Sequence, residues 1–533
     1  MFVLCFLNKK QYFYLIFNKK TPMDTPKTIN DSRLIDYLKT LTASEMNRFR
    51  KFVASPFFNN KKEAIALFKY LKKVHPIFEK DIYRRQIYNH LYPQDACAKS
   101  QPLDNKRYAE LRRVMSRLTG LVQDFLLYES RNQNEVRSKQ QLADILRNRG
   151  LTTHTQILIK KAKDTQTKLP QGSPMHLHDK YLIAKTELNH ILSVGRLKDV
   201  NLQPTITNFH HHALAGQLRL YAAGLSAQKT MPKKYEYPMM KSILEHLAVN
   251  DYTHIPIIDV YYRFCMLFKG ENNMMHYERI CKVLEEKKDY FPLSELRHLY
   301  DLLLNFCNLK INKGLNYNHQ KFDIYRRTFP DKIWNNGEYL SRDDFILAVR
   351  AALGIKDITG AKEIIDVYSK DLHPKQRKGI TLLAYVFVYL GEKKYIEAEN
   401  AMVTMRNAPP GFYYGLYDRL LATQIYYELI TIKSSEYLKM FDNKVNNMDA
   451  YLRNARMSKR NKELYTNYLH VVRRIRNMRF IKIDAGVRHL GNIDRVNAPS
   501  PRRLENIKSD IKNPDKPLVS REWLLEKIEE VIA

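Results

Sequence analysis

The sequence predicts an all-α protein in which an N-terminal helical module precedes an array of stacked helical hairpins, an α-solenoid. Two segments in the second half read alike, because Gly354 stands seven residues before Ala361 and Gly391 stands seven before Ala398, 37 residues further on. Self-similarity at this period is typical of helical-hairpin repeats. The 533 residues include only 17 glycines and 21 prolines, and apolar residues recur three and four apart. That spacing predicts helices.

Residues 1–22 stand apart from the rest of the sequence. Two apolar runs, 2–7 and 11–17, are each followed by Asn-Lys-Lys, and neither approaches the ~20 residues that a membrane span needs. The first run is shorter than the apolar core of a signal peptide, and no small-residue cleavage site follows it. We therefore expect residues 1–22 to be a wrongly assigned upstream extension, with translation starting at Met23.

Residues 23–163 are predicted to form a basic N-terminal helical module. Thr42 and Glu45 fit a capping box at the start of one helix. Pro56 ends that helix, because the residue before a proline is pushed out of helical geometry. Further helices are expected at 61–74, 79–92 and 104–129. A linker at 164–178, with prolines and a glycine at its centre, follows the module.

The net charge of +33 is unevenly distributed along the chain. Lys and Arg exceed Asp and Glu by 22 in residues 1–250, by 2 in 251–450 and by 9 in 451–500. The expected hairpin array is therefore nearly neutral, and the basic character lies on either side of it. A basic surface of this size attracts nucleic acid, anionic lipid or acidic proteins through long-range fields.

Two basic segments supply candidate phosphate contacts. In the helix expected at 104–129, Lys106, Arg113 and Arg117 fall opposite the apolar stripe, which suits a solvated face as well as a phosphate-binding face. Arginine, whose planar guanidinium binds phosphate well, dominates the second segment. The candidates there are Arg453, Arg456, Lys459, Arg460, Arg473, Arg474, Arg476 and Arg479. Neither segment carries a zinc-finger, leucine-zipper or RNA-reading motif.

Residues 179–480 are predicted to form the hairpin array. Four glycines follow apolar helical runs at intervals of 44, 40 and 37 residues, and each is expected to end a first helix as its left-handed cap. These glycines are Gly270, Gly314, Gly354 and Gly391. The positions that define the repeat are Gly354, Ala361, Gly391, Tyr395 and Ala398.

The copy around Ala398 resembles a tetratricopeptide repeat. Tyr389, Ala398 and Pro410 match its pattern, whereas Met402 stands in the place of the second-helix aromatic residue. The resemblance covers about 345–440 and, by extension, 255–480. It implies a right-handed superhelix with a concave face that binds partner proteins. It supplies no ligand-binding residues, because the signature positions of the family are packing positions.

The copy around Ala361 departs further from the tetratricopeptide pattern. Phe345 stands in the tryptophan position, and Ile365 stands in that of the second aromatic residue. Val349 and Val386 occupy the position of the small first-helix glycine. The helices at these positions are therefore expected to lie further apart than in the family.

The stretch from Ser55 to Asn59 (Ser-Pro-Phe-Phe-Asn) carries a second resemblance, together with the amphipathic helix that ends near Phe125. With that helix it resembles a group of uncharacterised bacterial helical proteins. The similarity extends over most of the chain and implies no particular activity.

The C-terminal residues divide into two predicted segments. Residues 497–519 contain four prolines among charged residues and are expected to form a tether. Residues 520–533 are expected to form a closing helix that carries Trp523, Leu524 and Ile528. This helix would dock onto the array as its cap or onto a partner, and the cap is favoured because terminal repeats need covering.

No motif for catalysis or cofactor binding is present. The sequence lacks a phosphate-binding loop, H-E-x-x-H and G-x-S-x-G. Adjacent helical residues point about 100° apart, so the three histidines at 210–212 cannot all face one metal ion. The five cysteines are odd in number and widely spaced, which favours a reducing compartment.

The sequence therefore predicts a non-enzymatic, cytoplasmic helical-repeat scaffold or adaptor that binds partner proteins and needs no cofactor or metal. The alternative is a nucleic-acid-associated protein that binds phosphates through basic helices at 104–117 and 453–479.

Overall fold

The computed structural model describes residues 28–75, 78, 82–96, 103–229, 233–270, 273–312, 315–406, 415–430, 434–455, 457, 459–480, 501–513 and 516–532. Several expectations lie outside these residues: the extension at 1–22, the start at Met23, Gly314, Pro410, Arg456, and residues 497–500 and 514–515 of the predicted tether. The described residues fall into two compact units. The N-terminal unit comprises 28–169 and 175–212, and the C-terminal unit comprises 170–174 and 213–532.

The N-terminal unit is built of helices, as predicted. Its helices are α1 (Arg33–Lys39), α2 (Ala43–Ala54), α3 (Lys62–Lys72), α4 (Arg84–Leu91), α5 (Asn105–Gln133), α6 (Glu135–Asn148), α7 (Thr152–Gln166), α8 (Pro174–Ser193) and the first part of α9 (Gln203–Gln228). Helices α1 to α4 pack on the long α5 around a core that includes Phe49, Phe68 and Phe125. The capping box of Thr42 and Glu45 at the start of α2 is confirmed.

The N-terminal unit extends further than the predicted boundary at residue 163. Helix α8 begins at Pro174, inside the expected linker, because proline suits the first turn of a helix. Ile183 of α8 joins the core of α6 and α7. The Arg137 guanidinium lies 2.9 Å from the Asp179 carboxylate. These contacts place residues 175–212 with the N-terminal unit, and the predicted array start at 179 is corrected accordingly.

The C-terminal unit is also built mainly of helices. They are α10 (Met240–Val249), α11 (Pro256–Lys269), α12 (Asn273–Glu286), α13 (Leu293–Asn312), α14 (Asn318–Thr328), α15 (Arg342–Gly354), α16 (Ile358–Tyr368), α17 (Pro374–Gly391), α18 (Tyr395–Arg406), α19 (Gly415–Ile430), α20 (Ser434–Asn454), α21 (Lys459–Arg479), α22 (Pro501–Lys512) and α23 (Arg521–Ile532). The all-α class is thus confirmed, apart from one small β-hairpin. Each of the pairs α15–α16, α17–α18 and α19–α20 packs together, and α15 also packs on α17.

The β-hairpin between α14 and α15 was not expected from the sequence. Strands β1 (Asn335–Asn336) and β2 (Tyr339–Leu340) pair antiparallel across a two-residue loop. Gly337, the first residue of that loop, has φ 65°, a left-handed conformation that glycine adopts without strain. The preceding Trp334 is fully buried, and its indole N–H donates to the Thr328 hydroxyl at 2.6 Å.

The predicted tether at 497–519 is wrong for most of its described residues. Helix α22 covers Pro501–Lys512 and buries Leu504, Ile507 and Ile511. Pro501 is the first residue of this helix, where a missing N–H costs nothing. Pro501 therefore marks the start of a packed helix. The closing helix α23 follows, and it buries Leu524, Lys527 and Ile528.

The predicted left-handed caps are right at one glycine and wrong at two. Gly270 ends α11 with φ 102°. Gly354 and Gly391 are instead the last helical residues of α15 and α17. The left-handed residues come two positions later, at Lys356 (φ 61°) and Lys393 (φ 59°).

Both lysine turns share one pattern of backbone hydrogen bonds. The Lys356 N–H donates to Leu353 O and the next N–H donates to Ala352 O, both at 3.0 Å. The Lys393 N–H donates to Leu390 O at 3.2 Å and the following N–H to Tyr389 O at 2.8 Å. This is the Schellman arrangement. The two copies of the sequence repeat therefore end their first helices in the same way.

The two glycines serve close packing. A Cβ atom on Gly391 would lie 3.2 Å from the Leu353 Cδ2 atom, and one on Gly354 would lie 3.2 Å from the Asn318 side chain. Such distances are tighter than ordinary contacts. Glycine therefore lets the end of α17 approach α15 and the end of α15 approach α14.

Replacing Lys356 with glycine should stabilise the C-terminal unit by about 1 kcal/mol, because a left-handed conformation strains a residue that has a Cβ atom. The midpoint of urea denaturation measures this gain. The matched control is Lys378→Gly in the second turn of α17, where an exposed lysine is replaced in a helix. The control should lose about 1 kcal/mol. A loss of stability in both variants would contradict the expected strain at Lys356.

Candidate functional site

A cleft of about 490 Å³ lies where the two lysine turns meet the C-terminal helix. Its walls come from the turn after α15, the turn after α17, and the facing sides of α19 and α23. The residues that line it are Leu353, Lys356, Ile358, Leu390, Gly391, Lys393, Tyr395, Gln424, Glu428, Trp523 and Glu526.

The cleft is lined by equivalent positions of the two sequence copies. The same shift of 37 residues relates Leu353 to Leu390, Lys356 to Lys393, and Ile358 to Tyr395. Each trio consists of an apolar residue in the last turn of the first helix, the left-handed lysine, and the first residue of the second helix. The repeat therefore places two similar sets of lining residues in one cleft.

The predicted repeat alanines lie behind this cleft as packing residues. Ala361 of α16 and Ala398 of α18 are both completely buried. Tyr395 is partly exposed and contributes its ring to the cleft. Burial, followed by the nearby Glu428 carboxylate, raises the pKa of the Tyr395 hydroxyl to about 12. The ring is therefore neutral near pH 7 and offers an apolar face with a hydroxyl donor.

The two lysines of the cleft differ in their electrostatic surroundings. The Lys393 ammonium lies 3.4 Å from the Glu526 carboxylate of α23. Lys356 is exposed, and among the described residues no carboxylate lies within 4.0 Å of its ammonium group. Lys356 can therefore pair with an anionic group that enters the cleft.

Buried charges hold the floor of the cleft in place. The Lys527 ammonium lies 2.8 Å from Glu428 and 2.6 Å from Glu530, and its side chain is only 2% exposed. Desolvation lowers the pKa of Lys527, but hydrogen bonds to the two glutamates outweigh it, so the pKa is raised overall. The Trp523 indole N–H donates to the Glu428 carboxylate at 2.9 Å. Helix α23 is thereby fixed as one wall.

The three basic residues predicted on α5 share an exposed face in the N-terminal unit. Lys106, Arg113 and Arg117 are all exposed. Spacings of 7 and 4 residues bring them to one side of the helix, over a length of about 16 Å. Arg117 Nε–H donates to the Asn59 side chain at 3.4 Å. This face is therefore accessible to an anionic ligand.

The four predicted arginines of α21 are engaged with carboxylates of neighbouring helices. These ion pairs tie α21 to α20, α22 and α23, and Arg476 is itself buried. The N–O distances are 3.2 Å for Arg473–Asp449, 2.8 Å for Arg474–Asp510, 2.6 Å for Arg476–Asp442 and 2.5 Å for Arg479–Glu530. Because their charges are matched within the fold, we do not retain them as phosphate contacts.

The remaining C-terminal candidates are Arg453, Lys459 and Arg460. Arg453 is exposed near the end of α20, and its carbonyl oxygen accepts a hydrogen bond from Lys462 at 3.3 Å. Lys459 and Arg460 are the first residues of α21, and their side chains lie outside the described part of the chain. For these three residues, phosphate contact stays a prediction.

Sequence reasoning missed most of the cleft residues. A local signal for the lysines existed, because Leu-Gly-x-Lys occurs at 353–356 and again at 390–393. Glu428 and Trp523 carried no such signal, since they reach the cleft from helices far along the chain.

The described residues contain neither a candidate metal site nor a candidate membrane-spanning helix. No group of three or more histidine, cysteine or acidic side chains there could hold a metal ion. None of the described helices combines the length and the apolar character that crossing a bilayer requires.

Comparisons with family models, curated proteins and solved structures give no match, so function is argued from the residues of this chain alone.

Proposed function

We propose that this protein is a non-enzymatic, cytoplasmic helical-repeat scaffold whose tetratricopeptide-like hairpins bind a segment of a partner protein in the cleft at the lysine turns. The observation that carries the proposal is the convergence of equivalent positions, Leu353, Lys356 and Ile358 with Leu390, Lys393 and Tyr395, on one cleft. Stacked helical repeats form extended surfaces that bind partners.

Helix packing supports the repeat architecture. The pairs α15–α16, α17–α18 and α19–α20 follow one another along the chain, and α15 packs on α17. The close approach of Gly391 to Leu353 brings the first helices of two successive hairpins together. The cleft lies at the turns between hairpin helices, which is the surface we assign to partner binding.

The cleft chemistry defines the kind of segment that would fit. Leu353, Ile358 and Leu390 provide apolar surface for an aliphatic or aromatic side chain. The exposed Lys356 ammonium provides a partner for a carboxylate beside it. We therefore expect a short segment that carries an apolar residue next to an acidic one. A reducing compartment is consistent with the free thiols of Cys265, Cys281 and Cys307.

Reversing the charge at Lys356 tests the proposal. Lys356→Asp should lower partner recovery about tenfold, because the cleft loses its unpaired cation and repels a carboxylate. Aspartate tolerates the left-handed conformation better than most residues, so the turn is retained. The measurement is affinity purification of the full chain at high salt after nuclease treatment, with quantitative mass spectrometry of the bound proteins.

The matched control is Lys378→Asp, which makes the same charge change on an exposed part of α17. It should recover the partner as the unaltered chain does. Equal recovery by Lys356→Asp and the unaltered chain would contradict binding in this cleft.

A further inference from the structure

The loop between α2 and α3 displays aromatic rings to solvent in the N-terminal unit. Phe57 is 88% exposed, and its neighbour Phe58 is 40% exposed. Tyr128 of α5, next to the loop, is 50% exposed. Three exposed rings that lie together form a contiguous apolar patch, and such a patch marks an interaction surface more often than a single exposed apolar residue does.

The rings are held in a fixed arrangement. Phe58 stacks on the buried Phe52, with ring centroids 3.9 Å apart and planes 16° apart. Phe57 meets Phe58 edge to face at 5.0 Å, and Tyr128 lies 6.4 Å from Phe58 on another side. Phe57 is therefore the outermost ring of an aromatic column that is rooted in the core.

The loop backbone is also fixed by a buried side chain. The Asn59 amide donates to the carbonyl oxygens of Val53, at 3.0 Å, and Lys61, at 3.1 Å. Its oxygen accepts hydrogen bonds from the Lys61 N–H and from Arg117. Because the loop is tied at both ends, Phe57 is presented without the entropy cost of ordering a mobile loop on binding.

Exposed cations flank the loop that carries the ring. Arg117 reaches Asn59 of the same loop, and Arg113 precedes it by one helical turn on α5. Glu129, on the same helix, is neutralised by Arg48 at 2.6 Å. Among the described residues, no carboxylate lies within 4.0 Å of any of the exposed cations of this surface. These are Arg50, Lys51, Lys61, Lys62, Arg113 and Arg117.

We infer that this surface binds single-stranded nucleic acid, with an unpaired base stacked on Phe57 and the adjoining phosphates held by Arg113 and Arg117. A rigid exposed ring flanked by unpaired cations is the arrangement by which proteins bind single strands irrespective of sequence. Duplex nucleic acid offers the phosphates but keeps its base faces stacked away from Phe57. Charge complementarity thus selects a polyanion, and the ring selects its single-stranded form.

Two variants of the full chain separate the roles of the ring and the cations, with binding to a fluorescent oligothymidylate measured by anisotropy over a range of salt concentrations. Phe57→Ala should weaken binding about 5- to 100-fold, because one base loses its stacking partner. The slope of log affinity against log salt should stay unchanged, and Phe57→Trp should restore the affinity. The double variant Arg113→Glu, Arg117→Glu should also weaken binding, but with a salt slope about 1.4 smaller in magnitude.

Matched controls lie in the same unit. Phe209→Ala removes another ring that is 53% exposed, and the double variant Lys160→Glu, Lys161→Glu reverses two other exposed charges. Both should bind as the unaltered chain does. Three results would overturn the inference: no binding of the oligonucleotide, equal loss in Phe57→Ala and Phe209→Ala, or a duplex of the same length binding as tightly with no effect of Phe57→Ala. If the surface binds a protein and not nucleic acid, the oligonucleotide will not bind, which is the first of these three results.

Discussion

Replacing Lys527 with alanine should destabilise the C-terminal unit by about 3–5 kcal/mol, since removing one partner from a buried ion pair leaves the other charge unpaired. Lys527 is 2% exposed and lies 2.8 Å from Glu428, itself 6% exposed. Glu530 lies 2.6 Å away on the other side. The same change removes the contact that fixes α23 as a wall of the cleft.

Hydrogen exchange of the full chain measures this effect locally. In Lys527→Ala, the amides of α19 and α23 should lose protection, while those of α5 in the N-terminal unit should stay unchanged. The control Lys512→Ala removes an exposed lysine at the end of α22 and should have no effect on α23. Unaltered protection of α23 in Lys527→Ala would show that the buried pair does not hold this helix.

A double variant distinguishes a lost charge pair from lost packing. Glu428→Gln with Lys527→Met removes both charges, keeps an acceptor for the Trp523 indole and retains most of the side-chain volume. Replacing a buried ion pair by uncharged groups of similar size is often close to neutral. The double variant should therefore recover most of the stability that Lys527→Ala loses.

Enlarging either repeat alanine should destabilise the C-terminal unit by about 1–3 kcal/mol, because extra carbon atoms overpack a filled interior. Ala361 and Ala398 are both completely buried. If the two sequence copies are structurally equivalent, Ala361→Leu and Ala398→Leu should have similar effects on the midpoint of urea denaturation. Val403→Leu, on the exposed side of α18, is the control and should change little. Tolerance of leucine at only one of the two alanines would contradict the equivalence.

Local patterns allowed the sequence to predict the helices and several of their ends. The capping box at Thr42 depends on residues three apart, and it was found correctly. The two repeat glycines were correctly placed at helix ends, but the left-handed residue was assigned to them. Glycine is the usual left-handed residue, and only the structure shows that Gly391 is needed instead for its approach to Leu353.

Contacts between distant parts of the chain account for the errors. The sequence predicted the arginines of α21 as phosphate contacts because the carboxylates that pair with them lie 24 to 51 residues away in sequence. Helix α22 lies in the segment that the sequence predicts to be a tether, because that segment contains four prolines. The helical spacing of Leu504, Ile507 and Ile511 is the signal that the prolines outweighed. The cleft likewise joins Lys356 to Trp523, a pairing that no local pattern contains.

The sequence also predicted the exposed basic face of α5, but it did not predict the exposed ring of Phe57 beside that face. Lys106, Arg113 and Arg117 were correctly expected to face away from the core. The role of Phe57 could not be read from the sequence, because two adjacent phenylalanines after a proline are more often core residues. Only the fold shows that Phe58 is stacked on Phe52 and Phe57 is left outside.

If equivalent positions of the two repeats bind a partner in one cleft, site-specific photocrosslinking should capture that partner from both positions. A benzophenone amino acid is placed at Ile358 or at Tyr395, the first residues of α16 and α18, and at the exposed Tyr235 as a control. After irradiation of intact cells, adducts are identified by mass spectrometry. We expect the same partner protein, attached through neighbouring residues, at both cleft positions and no such adduct at Tyr235. Adducts that are absent at both cleft positions, or that are equally abundant at Tyr235, would contradict this expectation.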